Sequence, residues 1–390
     1  MAAERAVDVI VVGCGAIGSA TAWRLARGGY RVRLLEQFAL GHELGSSHGP
    51  SRMIRLAYEE PEYAILGREA FQLWRDLEAE SGDALLHMTG GLDVGTPDAY
   101  EMAGIVRTYE TLGMPYERLD HDELRRRYPQ LNLPEGTIGL HQRDYGILAA
   151  TRCVLTFARR AAANGADVRE GERALEVIPE RDGVTIRTDQ SVHRADRAIL
   201  TAGSWTNPLL ASLGIELPLT VLQEQLAFFR VRDPEIHGPD RLPLVINRFP
   251  GTTSLGSLFP IFDHEGVKVM IDRIGPAVAP DNPDRTIDLA LLERLRAYAT
   301  NLLPSATGEI LETTSCRFTM TPDENFVIDC HPEHPQVVFA SSCSGHGFKF
   351  APVVGQMLAD LALTGETDYP TALFRLDRPA LRESWSRVVG

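Results

Sequence analysis

The sequence predicts an α/β protein of two domains, one discontinuous and Rossmann-like, the other α+β on a mixed or antiparallel sheet. Three stretches carry that expectation. The chain opens with VDVIVV, GCGAIG, a helical run and RVRLLE, which reads as strand, glycine turn, helix and strand. It returns to a similar pattern near its end, in QVVFASSCSGHGFKFAPVVGQMLADLALTGE (336–366). Between them, residues 216–275 are rich in Pro, Phe and β-branched residues and show no long helical pattern.

Each element follows from local spacing. Residues 7–12 are short, β-branched and almost wholly apolar, as a strand covered on both faces must be. In SATAWRLARGGY, Ala20, Trp23, Leu25 and Ala26 have helical spacing, and Gly28 and Gly29 end the helix. Residues 80–96 read as turn and strand, and 97–113 as an amphipathic helix. Residues 120–131 read as a capped helix stopped by Pro129. The run Arg125–Arg127 on that helix is a solvated face. Residues 148–168 form a helix closed by Asn164 and Gly165 and leading into a strand; 184–205 read as strand, turn, strand; 286–304 form a helix. Nucleotide-type signals stand at both ends and in the middle. The expected division is therefore 1–85, 143–215 and 316–390 for one domain, 86–142 and 216–315 for the other.

The bulk properties narrow the partners. A chain of 390 residues exceeds what one core usually holds. A net charge of −14 repels phosphate backbones and acidic lipid, so neither nucleic acid nor membrane is an expected partner. A local pair of cations still admits a small anion. The cysteines Cys14, Cys153, Cys316, Cys330 and Cys343 are odd in number and contain no C-x-x-C, which points to a reducing compartment. Glu4 and Asp8 interrupt the run an export signal needs, and no apolar stretch reaches membrane-spanning length. A cytoplasmic enzyme without a metal site is the expectation.

Gly13, Gly15 and Gly18 fit G-x-G-x-x-G around Cys14, Ala16 and Ile17. The first glycine permits a tight turn, the second lets a pyrophosphate approach the backbone, and the third lets helix and strand pack closely. The helix start then offers free N–H groups to phosphate. Glu36, followed by Gln37, closes the second strand where a carboxylate can accept ribose hydroxyls. No arginine stands near to take a 2′-phosphate, which disfavours NADP. AILTAGSWT (198–206) ends in a small-residue turn at Ala202, Gly203 and Ser204, suited to a nucleotide pressed on backbone. The fingerprint leaves FAD and NAD both open.

Four stretches resemble one family when taken together: VIVVGCGAIGSATAWRLARGGYRVRLLE, GSSHGPSRMIRLAY, CRFTMTPDENFVID and SGHGFKFAPVVGQMLADL. They resemble, in order and spacing, the flavin-dependent amine oxidases of the monomeric sarcosine oxidase and N-methyltryptophan oxidase type, which include pipecolate oxidase. The resemblance implies a glutathione-reductase-type FAD-binding domain interleaved with a substrate domain. It implies FAD joined to Cys316 as a cysteinyl thioether. The implied reaction oxidises a secondary amino acid, N-methyl or cyclic, to an imine while O2 becomes H2O2, in a monomer. Arg55 and Lys349 match the pair that grips the substrate carboxylate, and Lys268 the lysine that activates oxygen. Arg52, one helical turn before Arg55, and His48 match residues beside the flavin, next to Ser47. Gly345, His346, Gly347 and Phe348 precede a helix start whose N–H groups favour charge on the reduced ring. Ala174, Ala202, Gly203 and Trp205 complete the expected cofactor contacts.

Ser257, Phe318 and Asp272 stand where sarcosine-type members carry two tyrosines and a histidine. A substrate other than sarcosine is therefore expected, with Asp272 meeting a cationic or hydroxylated part of a larger amino acid. Two other functions remain open at this point: an NAD-dependent dehydrogenase, and a flavin-binding subunit without its own turnover.

Overall fold

The computed structural model describes residues 7–248 and 254–382. Residues 1–6, 249–253 and 383–390, which belong to the expected domains, lie outside the described residues. The opening strand Val7–Val12 lies inside an eight-stranded sheet, parallel to Val32–Leu35 on one side and to Val192–Leu200 on the other. Asp167–Arg169 and Val337–Ser341 add further parallel neighbours. Ala174–Glu180 and Gly183–Thr188 form an antiparallel hairpin on the same sheet, and Val327–Cys330 pairs antiparallel with Val337–Ser341.

Both faces of this sheet are covered, which explains the continuous apolar strands. Val9 and Val11 belong to a core shared with the helices Ala16–Arg27, Ala150–Ala163 and Ala351–Thr364. Val7, Ile10 and Val12 point the other way, into a core with Leu209, Leu210 and Leu217. Two of the helices approach closely: a Cβ at Gly355 would stand 2.9 Å from the Thr21 backbone nitrogen. No helix among the described residues is long and apolar enough to cross a membrane.

The second eight-stranded sheet runs in the order Ala306–Met320, Thr220–Val231, Val267–Ile271, Leu255–Phe259, Leu244–Arg248, Gly91–Gly95, Ile138–Gln142, Glu117–Leu119. All neighbours are antiparallel except Leu244–Arg248 with Gly91–Gly95, which makes the sheet mixed. The helix Leu289–Leu302 buries Leu292, Leu295 and Leu302 against it. Strands of the first sheet come from 7–35, 167–200 and 327–341, those of the second from 91–142 and 220–320, so the chain interleaves the two. Ala306–Met320 pairs almost throughout with Thr220–Val231, and the expected break at residue 316 falls inside it.

A small third sheet joins Arg52–Ile54, Gly146–Leu148 and Leu86–Met88. The helical turn expected between Arg52 and Arg55 is thus corrected to a strand. Pairing with Gly146–Leu148 supplies the backbone hydrogen bonds that a helical turn would otherwise have to make. The sequence reading also passes over a long helix, Pro61–Ser81, which begins at a proline and ends at left-handed Gly82. Its inward stripe of Tyr63, Ala64, Leu66, Gly67, Ala70, Trp74 and Leu77 has helical spacing and was legible. Trp74 is fully buried, and its Nε1 donates to the Lys349 carbonyl at 2.9 Å. Trp74→Ala is expected to cost about 3–5 kcal/mol, read as a lowered denaturation midpoint. Trp74→Phe keeps most of the packing but loses the hydrogen bond, and should cost about 1 kcal/mol beyond the lost volume.

Candidate active site

The first cavity opens where the parallel strands end, lined by Val12, Leu35, Thr201 and Ala340, the usual ligand position in an open parallel sheet. Gly13 turns there with φ of +97°, and a Cβ at Gly18 would stand 1.8 Å from the Gly13 carbonyl oxygen. Gly18 therefore works from behind, by letting the helix close on the strand; it does not line the cavity. Gly13, Gly15, Ala16 and Ile17 do line it. The Ala16 N–H donates to Ser47 Oγ at 3.0 Å. Glu36 accepts from the Cys14 N–H at 2.7 Å and the Phe38 N–H at 3.0 Å, which fixes its carboxylate at the end of the second strand.

Gln37, Ala174, Ala202, Gly203 and Trp205 line the same channel, as do His48 and Arg52 farther along. Burial, then the Arg52 charge, holds the His48 imidazole down at about 3, and its buried Nε2 has no partner among the described residues. The far end is the turn before helix Ala351–Thr364, with Gly345, His346, Gly347, Phe348 and Lys349 on the wall. A Cβ at Gly347 would stand 1.6 Å from the Ser342 carbonyl oxygen, so this turn admits only glycine.

A second cavity of about 400 Å³ lies against the second sheet. Arg52, Met53, Phe318, Gly345, His346 and Lys349 line both cavities, so the two meet there. Arg55, Ser257, Lys268, Asp272 and Cys316 line the second alone. Cys316, expected among the cofactor residues, thus sits on the far side of the junction, on a strand of the second sheet. Its neighbour Arg317 faces away, donating to the Asn282 carbonyl and lying 5.8 Å from the Trp205 ring centroid.

Two cations at the junction are buried with neutral partners. The Lys349 ammonium donates to the Tyr58 hydroxyl at 2.9 Å and to the His346 carbonyl at 2.6 Å. The Arg55 guanidinium lies 4.1 Å from the centroid of the same Tyr58 ring, and its Nε and Nη1 have no hydrogen-bond partner among the described residues. Burial, then the charge of Arg55, holds Lys349 well below the usual lysine range. An anion entering here would be neutralised by both groups, because buried charge is costly until it is paired. Tyr58, which joins the two, was missed in the sequence; its only signal was its place three positions after Arg55.

Lys268 is the third buried cation. Its ammonium donates to the Ser51 carbonyl at 2.7 Å and the Ser51 hydroxyl at 3.1 Å, and lies 4.1 Å from the Phe259 ring centroid. Burial, then Arg52, holds it well below the usual lysine range. The Cys316 thiol is pushed up to about 11 by burial, with Arg52 and Lys268 pulling the other way. Asp272 accepts from the Leu255 N–H at 2.6 Å and stands 3.6 Å from Arg273, so its carboxylate is already engaged in joining adjacent strand ends.

Residues 8–361 match the DAO family, whose description is FAD dependent oxidoreductase. The chain belongs to this family. It is 36% identical to the monomeric sarcosine oxidase of Streptomyces avermitilis over 377 residues, 94% of this chain and 96% of that protein. It is 35% identical to the human peroxisomal sarcosine oxidase over 97% of this chain and 98% of that protein. A similar solved structure is the open form of NikD, an unusual amino acid oxidase essential for nikkomycin biosynthesis. Its TM-score is 0.84 at 28% identity, covering 95% of this chain and 98% of that one. Family membership makes this a flavin-dependent amino acid oxidase and removes the nicotinamide alternative. The cavities fit FAD: a glycine cradle and a fixed acid at one end, His48 with an unpartnered Nε2 on the wall of the first cavity, and a glycine turn where the two cavities join.

Two outcomes test this geometry. Gly15→Ala, whose Cβ would meet nothing nearer than the Ser47 hydroxyl at 3.2 Å, should leave the chain folded but lower its flavin content per chain, measured on protein precipitated after purification. Binding of a simple carboxylate should weaken as pH rises. Lys349 is charged below its lowered pKa and completes the clamp there; it loses its proton, and the clamp a partner, starting well below the ordinary value of 10.5. Titration calorimetry across pH reads this.

Proposed function

We infer that the protein is an FAD-dependent oxidase of a secondary amino acid, N-methyl or cyclic, with Arg55 and Lys349 holding the substrate carboxylate. The observation that carries this is the buried pair of cations around Tyr58, with unpartnered Arg55 nitrogens, at the meeting of the two cavities. Bound FAD would supply a two-electron acceptor for the hydride on the carbon next to the amine nitrogen and a route for those electrons to O2, so that the products would be an imine and H2O2. Arg offers a planar fork to the carboxylate and Lys a point charge, so together they fix both the position and the tilt of the amino acid. His48 and Arg52 stand on the cofactor side of that position.

Lys268 is the residue we assign to oxygen activation: a fixed cation stabilises the anion made by the first electron transfer. Its two Ser51 contacts hold it in place without cancelling its charge. Cys316 is assigned as the point of covalent attachment. Its raised pKa means that attachment needs a local base or a pH rise to expose the thiolate. Ser257 and Phe318 line the substrate cavity without phenol hydroxyls, which supports a substrate other than sarcosine. The division into 1–85, 143–215 and 316–390 for FAD and 86–142 and 216–315 for substrate belongs to the same reading. So do a monomer and a cytoplasmic location.

Lys349→Met should raise KM roughly 10- to 100-fold, the loss of one charge-assisted contact. Lys268→Met should slow reoxidation of reduced enzyme by O2 far more than it slows anaerobic reduction by amine; equal effects on both would remove the oxygen assignment. Wild-type protein precipitated in acid should stay yellow, and Cys316→Ser should release its colour to the supernatant. Attachment should speed up by about tenfold per pH unit below 11, the sign set by a thiol whose proton must leave.

A further inference from the structure

The charged lining of the second cavity divides by exposure: Arg55, Lys268 and Lys349 are buried, whereas its glutamates are half-buried or exposed. The inner end holds Arg52, Arg55, Lys268 and Lys349. Leu226, Ile246, Leu255, Phe259 and Met270 add an apolar wall. The outer end carries Glu59, Glu60, Glu101 and Glu324, together with Tyr100, which is 73% exposed. The cations at this end are already claimed. Arg248 stands 3.3 Å from Asp93 and 3.6 Å from Glu59, and Arg273 stands 2.9 Å from Glu324 and 3.6 Å from Asp272. Arg378 takes Asp323. Acids therefore outnumber cations at the mouth. Burial raises the pKa of both Glu59 and Glu324 against the opposing pull of Arg248 and Arg273, and the nearby Glu60 adds to the rise in each.

Arg55, 94% buried with Nε and Nη1 unbonded, favours a ligand that lies with a carboxylate at the inner end. The opposite end of that ligand meets glutamates and an open aromatic face, a setting that attracts a cation. We propose that the substrate is an amino acid whose side chain or N-substituent ends in a positive charge, carried on an apolar stem and received by Glu59, Glu60, Glu101 and Tyr100. This rests on the oxidase reading and deepens it. It also moves recognition away from Asp272, whose oxygens are held by Leu255 and Arg273.

The test uses holoenzyme and a series of ω-amino carboxylates, each against the methyl-ended carboxylate of equal length, titrated calorimetrically. These ligands differ in the terminal charge alone and carry no α-amine. The ammonium-ended member of at least one pair should bind about fivefold tighter at low salt. That advantage should shrink in high salt and fall below about twofold in the Glu60→Gln/Glu101→Gln variant, whose substitutions lie at the rim, outside the packed core. Equal or tighter binding of the methyl-ended partner throughout overturns the proposal. So does an advantage that survives the double substitution. Failure of every carboxylate to bind overturns the proposal and the Arg55–Lys349 clamp together. Anaerobic bleaching of the flavin by N-methyl and cyclic amino acids reads the oxidase assignment separately: bleaching with no preference for basic members overturns the proposal alone.

Discussion

Two cations buried around one phenol are the constraint on which the site depends. Tyr58 gives its hydroxyl to Lys349 and its ring to Arg55, and neither contact cancels charge. The fold tolerates this because each side chain is held from elsewhere. Trp74, on a long helix, bonds the Lys349 carbonyl, and the strand Arg52–Ile54 is locked by Gly146–Leu148 just before Arg55. The uncompensated charge is stored at the one place where a nucleotide channel and a substrate cavity meet.

Lys349, Arg55 and Lys268 are all buried, and their partners differ. Lys349 and Arg55 share a polarisable ring and stay open to an anion. Lys268 is tied to the hydroxyl and carbonyl of Ser51, so its position is set but its charge remains. Cys316 lies within the influence of Arg52 and Lys268 yet keeps a raised pKa, since burial outweighs both. That cationic field is thus too weak, alone, to ionise the thiol. The distinction follows from desolvation, which penalises any charged form and is offset only by close, well-oriented partners.

Much of this was legible in the sequence, for identifiable reasons. The parallel core was readable because strands buried on both faces must be apolar throughout, and the glycine fingerprint because backbone contact forbids side chains at those turns. Arg55, Lys268 and Lys349 were named through a resemblance that reaches single residues. The helix Pro61–Ser81 was overlooked although its stripe was present, and the strand at Arg52 was taken for a helical turn because three residues carry too little periodicity to tell the two apart. Tyr58 and the acidic mouth were invisible for another reason. Glu59, Glu101 and Glu324 become neighbours of one cavity only after separate segments are brought together, and no local pattern encodes that. Asp272, expected to meet the substrate, lines the second cavity, but its bond to the Leu255 backbone could not be foreseen from a linear reading.

The clamp is assembled from opposite ends of the polypeptide, Arg55 arriving early in synthesis and Lys349 late. A ribosome-bound fragment that has already built the glycine cradle still lacks the second cation and the turn that carries it. Until the last segment emerges and docks beneath the helix bearing Trp74, Arg55 has no Lys349 beside it and the first cavity lacks the glycine turn that closes its far end.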